Sequence, residues 1–201
     1  MYRARIGLGN GVCLNSGKLV IAGILKLKYD QRRLFVMRSV DNGDIWTTDV
    51  KPLDAPPDAT LGEHIQVVEY ANDLVNISCS FEGSKQCFCI YSDTGFKVFD
   101  CQIKDANPEC QGCIVRLPTK TNKFYHIAMA SHGNETDKDL TLYLSEDGCK
   151  TWYQFNTLGA VNAEESDLAY YSVKEGEEEA KGIVCVTVMV QKQRVIILEC
   201  S

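Results

Sequence analysis

Along the chain, short runs rich in Val, Ile, Tyr and Phe alternate with turn residues, and no segment carries a long apolar stripe at 3.6-residue spacing. That pattern predicts an all-β chain. Strands are expected near 19–27, 32–39, 64–70, 74–81, 86–92, 97–103, 113–118, 124–130, 139–145, 152–157, 167–173, 182–190 and 193–200. Between them, residues 51–60 hold three of the five prolines, and 175–181 form an acidic, Gly-containing tip. Both read as loops inside a single domain of 1–201 rather than as linkers.

One turn pattern recurs. Ser39-Val40-Asp41-Asn42-Gly43-Asp44-Ile45-Trp46 fits S-x-D-x-G-x-x-W, and Ser145-Glu146-Asp147-Gly148-Cys149-Lys150-Thr151-Trp152 fits it with Cys149 at the Gly position. Tyr91 to Val98 is a decayed third copy. A short Asp side chain can accept backbone N–H groups inside such a turn, Gly permits positive φ, and Trp packs beneath the hairpin. These Asp boxes are structural and do no chemistry.

Length and charge narrow the picture. At 201 residues and 45% apolar composition the chain can bury a sizeable core. A net charge of -6, with Lys and Arg scattered, argues against nucleic acid as a partner. The stretch 1–13 has no apolar core of a signal peptide, and Leu19 to Leu25 is too short to span a bilayer, so no membrane span is expected and the sequence assigns no compartment. Among ten cysteines, Cys87 and Cys89 share a strand face and Cys110 and Cys113 form a CxxC. No second CxxC or His pair at ligand spacing accompanies them, so buried thiols or one disulfide are expected, with no metal and no cofactor.

In order along the chain, Gly7-Leu8-Gly9-Asn10-Gly11, Leu14 to Val20, the first box, Gln66-Val67-Val68-Glu69, the decayed box, Cys110-Gln111-Gly112-Cys113, the second box and Tyr170-Tyr171-Ser172 resemble the sialidase (neuraminidase) family. The resemblance implies the later part of a sialidase β-propeller, about three blades of a six-bladed ring, with the N-terminal blades lying outside the region matched. It also implies a sialylated glycoconjugate as ligand. The open sheet edges of such a partial ring would call for self-association or a partner chain.

The resemblance carries a mechanism. Sialidases depart from the two-carboxylate rule of glycosidases and use a Tyr nucleophile, a Glu that takes its proton, three Arg that clamp the substrate carboxylate, and an Asp acid/base. Tyr171 stands at the nucleophile position, with Tyr170 as the register-shifted alternative and a strand Tyr packed between blades as the plain one. His64 occupies the Glu position, with Glu63 one residue earlier, where a one-residue slip reverses the side-chain face. Ser78 and Asp137 fill the places of two Arg, while the remaining Arg and the Asp acid/base precede the matched region. Lys138 beside Asp137 cannot reproduce a guanidinium fork. The expectation is a catalytically impaired propeller module; an active exo-α-sialidase with rearranged partners and a glycan- or protein-binding module are the alternatives. Glu63, Glu69, Asp137 and Asp139 read as solvated surface charge, and the sequons at Asn76 and Asn134 as incidental.

Overall fold

Sixteen strands run through the described residues of the protein's computed structural model, which are 3–6, 11–28, 31–51, 61–81, 86–92, 95–100, 113–117, 126–132, 139–160, 165–173, 181–189 and 194–200. The first sheet holds β1 (Arg3–Ile6), β2 (Val12–Cys13), β3 (Leu19–Lys26), β4 (Arg32–Ser39) and β5 (Thr47–Lys51), with β1 and β2 both pairing β3. The second runs β6 (Leu61–Ala71), β7 (Leu74–Phe81), β8 (Gln86–Ser92) and β9 (Gly95–Asp100). The third runs β10 (Cys113–Leu117), β11 (His126–His132), β12 (Asp139–Ser145) and β13 (Tyr153–Ala160). The fourth is three-stranded, β14 (Glu165–Val173), β15 (Lys181–Met189) and β16 (Arg194–Cys200).

Every one of these pairings is antiparallel, and each sheet from β6 onward is a plain meander. Strand β6 meets both β3 and β10, and β10 meets β14, so the leading strands lie side by side where the sheets converge. This is the arrangement of propeller blades, forming part of a ring. Three strands go beyond the sequence reading, and all belong to the first sheet. Residues 3–6 are exposed throughout and half of them are Arg, β2 has only two residues, and β5 is a polar edge; none offers the apolar run by which a strand is recognised.

Strand β6 explains how the sheets stack. From Ile65 to Ala71 every residue is buried, as expected of a strand covered on both faces. Ile65 and Val67 join Val75, Ile77 and Cys79 in a cluster with Val20, Ala22, Ile24, Leu34 and Val36 of the first sheet. Val68 and Tyr70 point the other way and pack with Ile114, Ile127 and Cys149 of the third. Burial of one such Leu, Ile or Val is worth about 1.5–3 kcal/mol, so these two interfaces dominate the fold's stabilisation. Gly23 is required where β1 closes on β3: a Cβ there would lie 2.3 Å from the Arg5 carbonyl oxygen and 2.6 Å from the Phe35 ring.

Candidate functional site

At the end of the leading strands toward which β6 runs, one carboxylate ties three sheets together. Glu69 is fully buried, and its oxygens accept the backbone N–H of Asn15 at 3.2 and 3.3 Å and that of Asp73 at 3.1 Å. The Arg116 guanidinium of β10 pairs with the same carboxylate and also donates to the Asn15 side-chain oxygen at 3.1 Å. This corrects the expectation of a solvated Glu69. The signal was present in the sequence: Glu69 is flanked by Val67-Val68 and Tyr70-Ala71, where a carboxylate can be buried only if it is paired and hydrogen-bonded. Beside it, the Ser16 hydroxyl and then the Lys18 ammonium hold the Asp73 carboxyl below its ordinary value, and Lys18 reaches Asp73 at 3.3 Å.

Three residues earlier on β6, the Gln66 side-chain oxygen accepts the backbone N–H of Ile114 at 2.7 Å. Since Gln66 reaches Ile114 and Glu69 reaches Arg116, β6 and β10 advance in the same direction.

Two turns share one hydrogen-bond frame. In the first, Asp41 Oδ1 accepts the Ser39 hydroxyl at 2.6 Å and the Ile45 N–H at 2.9 Å, while Ser39 Oγ accepts the Gly43 N–H at 2.8 Å. Trp46 Nε1 closes the loop on the Gly43 carbonyl at 2.9 Å. In the second, Asp147 Oδ1 accepts the Ser145 hydroxyl at 3.0 Å and the Thr151 N–H at 2.9 Å, and Ser145 Oγ accepts the Cys149 N–H at 3.0 Å. Cys149 adopts φ 66° where the first turn has Gly43 at 98°. The Ser39 hydroxyl first, then the Ile45 amide, lower the Asp41 pKa. For Asp147, burial works in the opposite direction, but hydrogen bonds from Thr151, Ser145 and Lys150 outweigh it and the pKa is again lowered. Residues Asp93 and Thr94 of the decayed copy lie outside the described residues.

The candidate catalytic positions are spread over several strands. Glu63 and His64 lie near the beginning of β6, and Tyr171 lies toward the end of β14, paired with Ile183. Tyr170 is half-buried on the Leu168 side. Ser78 is 5% exposed in β7, across from Gln66. Asp137 and Lys138 lie outside the described residues. A different tyrosine–carboxylate pair is present: Tyr153 donates to Glu146 at 3.1 Å on exposed β13. Burial and then Glu146 raise the Tyr153 pKa.

Among the described residues no group of three His, Cys, Asp or Glu could hold a metal, and Cys79, Cys113 and Cys149 are buried. Cys110 lies outside the described residues. Asn76, the acceptor of a sequon, is 1% exposed and its amide has no hydrogen-bond partner.

No protein-family model and no curated protein matches the chain. Solved structures do. A Trypanosoma rangeli sialidase is similar over 98% of this chain and 32% of its own, at 14% identity and TM-score 0.70. A Hadza microbial sialidase is similar over 92% of this chain and 35% of its own, at 18% identity and TM-score 0.69. A leech intramolecular trans-sialidase is similar over 92% of this chain and 28% of its own, at 16% identity and TM-score 0.63. The chain therefore has the fold of part of a sialidase β-propeller, and spans about a third of the length of the structures it matches.

Proposed function

We propose that this chain is a sialidase-like propeller module that contacts sialylated glycoconjugates without hydrolysing them. The observation that carries the reading is Ser78. A guanidinium is expected there from the family resemblance, yet the position holds a short hydroxyl, buried between sheets opposite Gln66. No serine can form the bidentate bond by which Arg holds a carboxylate, and losing one such ion pair costs about 2–5 kcal/mol.

Strand positions support the same reading. Glu63 and His64 are the third and fourth residues of β6 in the second sheet, Tyr171 lies toward the end of β14 in the fourth, and β10 of the third sheet meets both strands. A nucleophile and its base must come within about 3 Å of each other, directly or through one water. Asp137 as the replacement of a further Arg adds repulsion in place of attraction. The turns at Ser39–Trp46 and Ser145–Trp152 act in this account as Asp boxes that fix the hairpins.

Titration of the folded protein with 3′-sialyllactose and with lactose, followed by NMR shift changes, tests the glycan contact. Saturable shifts with sialyllactose alone, and no free sialic acid in the tube, are expected. Equal response to the two sugars, or none to either, would remove the glycan from the proposal. Accumulating sialic acid would restore the enzyme.

A further inference from the structure

We infer that Arg3, Lys26 and Arg32 form a cationic row that holds the carboxylate of an acidic sugar. The inference rests on the proposed sialoside contact and deepens it, by naming the residues that take the place of the guanidinium missing at Ser78.

Strand register makes the row. Arg3 of β1 pairs with Lys26 of β3, and Lys26 pairs on its other side with Arg32 of β4. Residues directly opposite in antiparallel strands share a sheet face, and neighbouring strands lie about 4.8 Å apart, so three cations stand abreast on one face. Arg3 and Lys26 are exposed and Arg32 is half-buried, and all four residues of β1 are open to solvent. Arg5 adds a fourth cation to the same face, two residues along β1. Arg33, by contrast, lies across from Leu25 and belongs to the opposite face.

The row also stands at the right end of the sheet. Lys26 alternates with Ala22 and Ile24, which pack toward the second sheet, so the row is on the side that looks to β6. Asn15 and Lys18, just before β3, reach Glu69 and Asp73 at the finishing end of β6. Strand β3 therefore starts at that end, and its last residue, Lys26, lies toward the end where β6 begins. Glu63 and His64 are near that beginning, and Ser78 belongs to the half of β7 that pairs with the first half of β6. The cation missing at Ser78 and the cations gathered on the first sheet thus lie toward one end of two neighbouring sheets.

Charge selects the ligand. Residues 1–33 hold seven of the 21 Lys and Arg but one of the 27 Asp and Glu, so the strands that carry the row are basic within an acidic protein and draw anions to it. An Arg fork grips a carboxylate through two parallel N–H···O bonds, and Lys supplies a point charge. Two Arg flanking one Lys offer both to a single carboxylate. A nucleic-acid backbone needs a longer cationic track, and the net charge of -6 repels it. The row binds without supplying a nucleophile or an acid, which suits contact without hydrolysis.

Titration of the folded chain with 3′-sialyllactose, its carboxylate methyl ester, lactose and sulfate, read by NMR of the Arg Nε–H groups, tests this. Sialyllactose is expected to shift the Arg3 and Arg32 signals saturably, and the ester and lactose to leave them in place. This comparison uses the wild-type chain, so it holds however the variants fold. Arg3→Gln/Lys26→Gln, at two exposed positions, is expected to weaken sialyllactose binding at least tenfold with an unchanged far-UV spectrum. Arg33→Gln, a charge loss on the opposite face, is expected to leave binding unchanged. Ester binding equal to that of the acid, or sulfate binding as tight as sialyllactose, would overturn the inference. Equal sialyllactose binding by wild type and the folded double variant would overturn it while the sialoside contact stands. No binding by wild type would remove both.

Discussion

The side-chain oxygen of Gln66 accepts the backbone N–H of Ile114 at 2.7 Å, joining the leading strands of the second and third sheets. Neighbouring blades share no sheet ladder, so a leading-strand amide that faces its neighbour needs a side-chain acceptor. Gln66→Leu keeps the volume and removes the acceptor. It is expected to destabilise the fold by about 1–3 kcal/mol, the cost of one buried unsatisfied donor, measured as a lower urea midpoint at unchanged m-value.

Glu69 holds two turns and one guanidinium at once. Glu69→Ala is expected to cost about 3–5 kcal/mol, because it orphans the Asn15 and Asp73 amides together with Arg116. In a double-mutant cycle of Glu69→Leu with Arg116→Met, the pair is expected to lose less than the sum of the singles. Additive losses within about 0.5 kcal/mol would contradict the pairing.

Cys149 is buried at positive φ in the second turn. Cys149→Val adds a branched side chain that resists this backbone, and a loss of about 1–3 kcal/mol in urea unfolding is expected. Cys149→Gly suits the backbone and gives up only the thiol's packing, so it is expected to lose less than the Val variant.

Asp41 has its pKa lowered by the Ser39 hydroxyl and the Ile45 amide, so the folded state favours its charged form. Its contribution to stability is present above the unfolded-state carboxylate pKa and is lost as pH falls through the lower folded one. An NMR titration is expected to place Asp41 below an Asp in a random peptide, and Ser39→Ala to move it upward. An unmoved Asp41 would contradict the turn geometry.

Much of the fold was legible in the sequence, because Val- and Ile-rich runs such as Leu19–Lys26 and Leu74–Phe81 carry their own periodicity. The strands that escaped, Arg3–Ile6, Val12–Cys13 and Thr47–Lys51, are charged, very short or on a polar edge. Their structure comes from pairing with β3 and β4 and is not written in local pattern. The turn residues were legible for the opposite reason, since Ser39, Asp41 and Gly43 satisfy one another within five positions. For Glu69 the flanking apolar residues signal burial, but its partners were not legible, because Asn15 and Arg116 are distant in sequence and meet it only through sheet stacking. Ser78 could be placed in register but not understood until its burial against the Gln66 position was seen.

Release of free sialic acid from a fluorogenic sialoside, by purified chain beside Tyr171→Phe and from acidic to neutral pH, tests the central claim most directly. The account predicts no turnover above buffer by either protein while both remain folded. Turnover by the wild-type chain that Tyr171→Phe abolishes would contradict it, and would require Glu63 or His64 to serve as the base with another cation holding the substrate carboxylate.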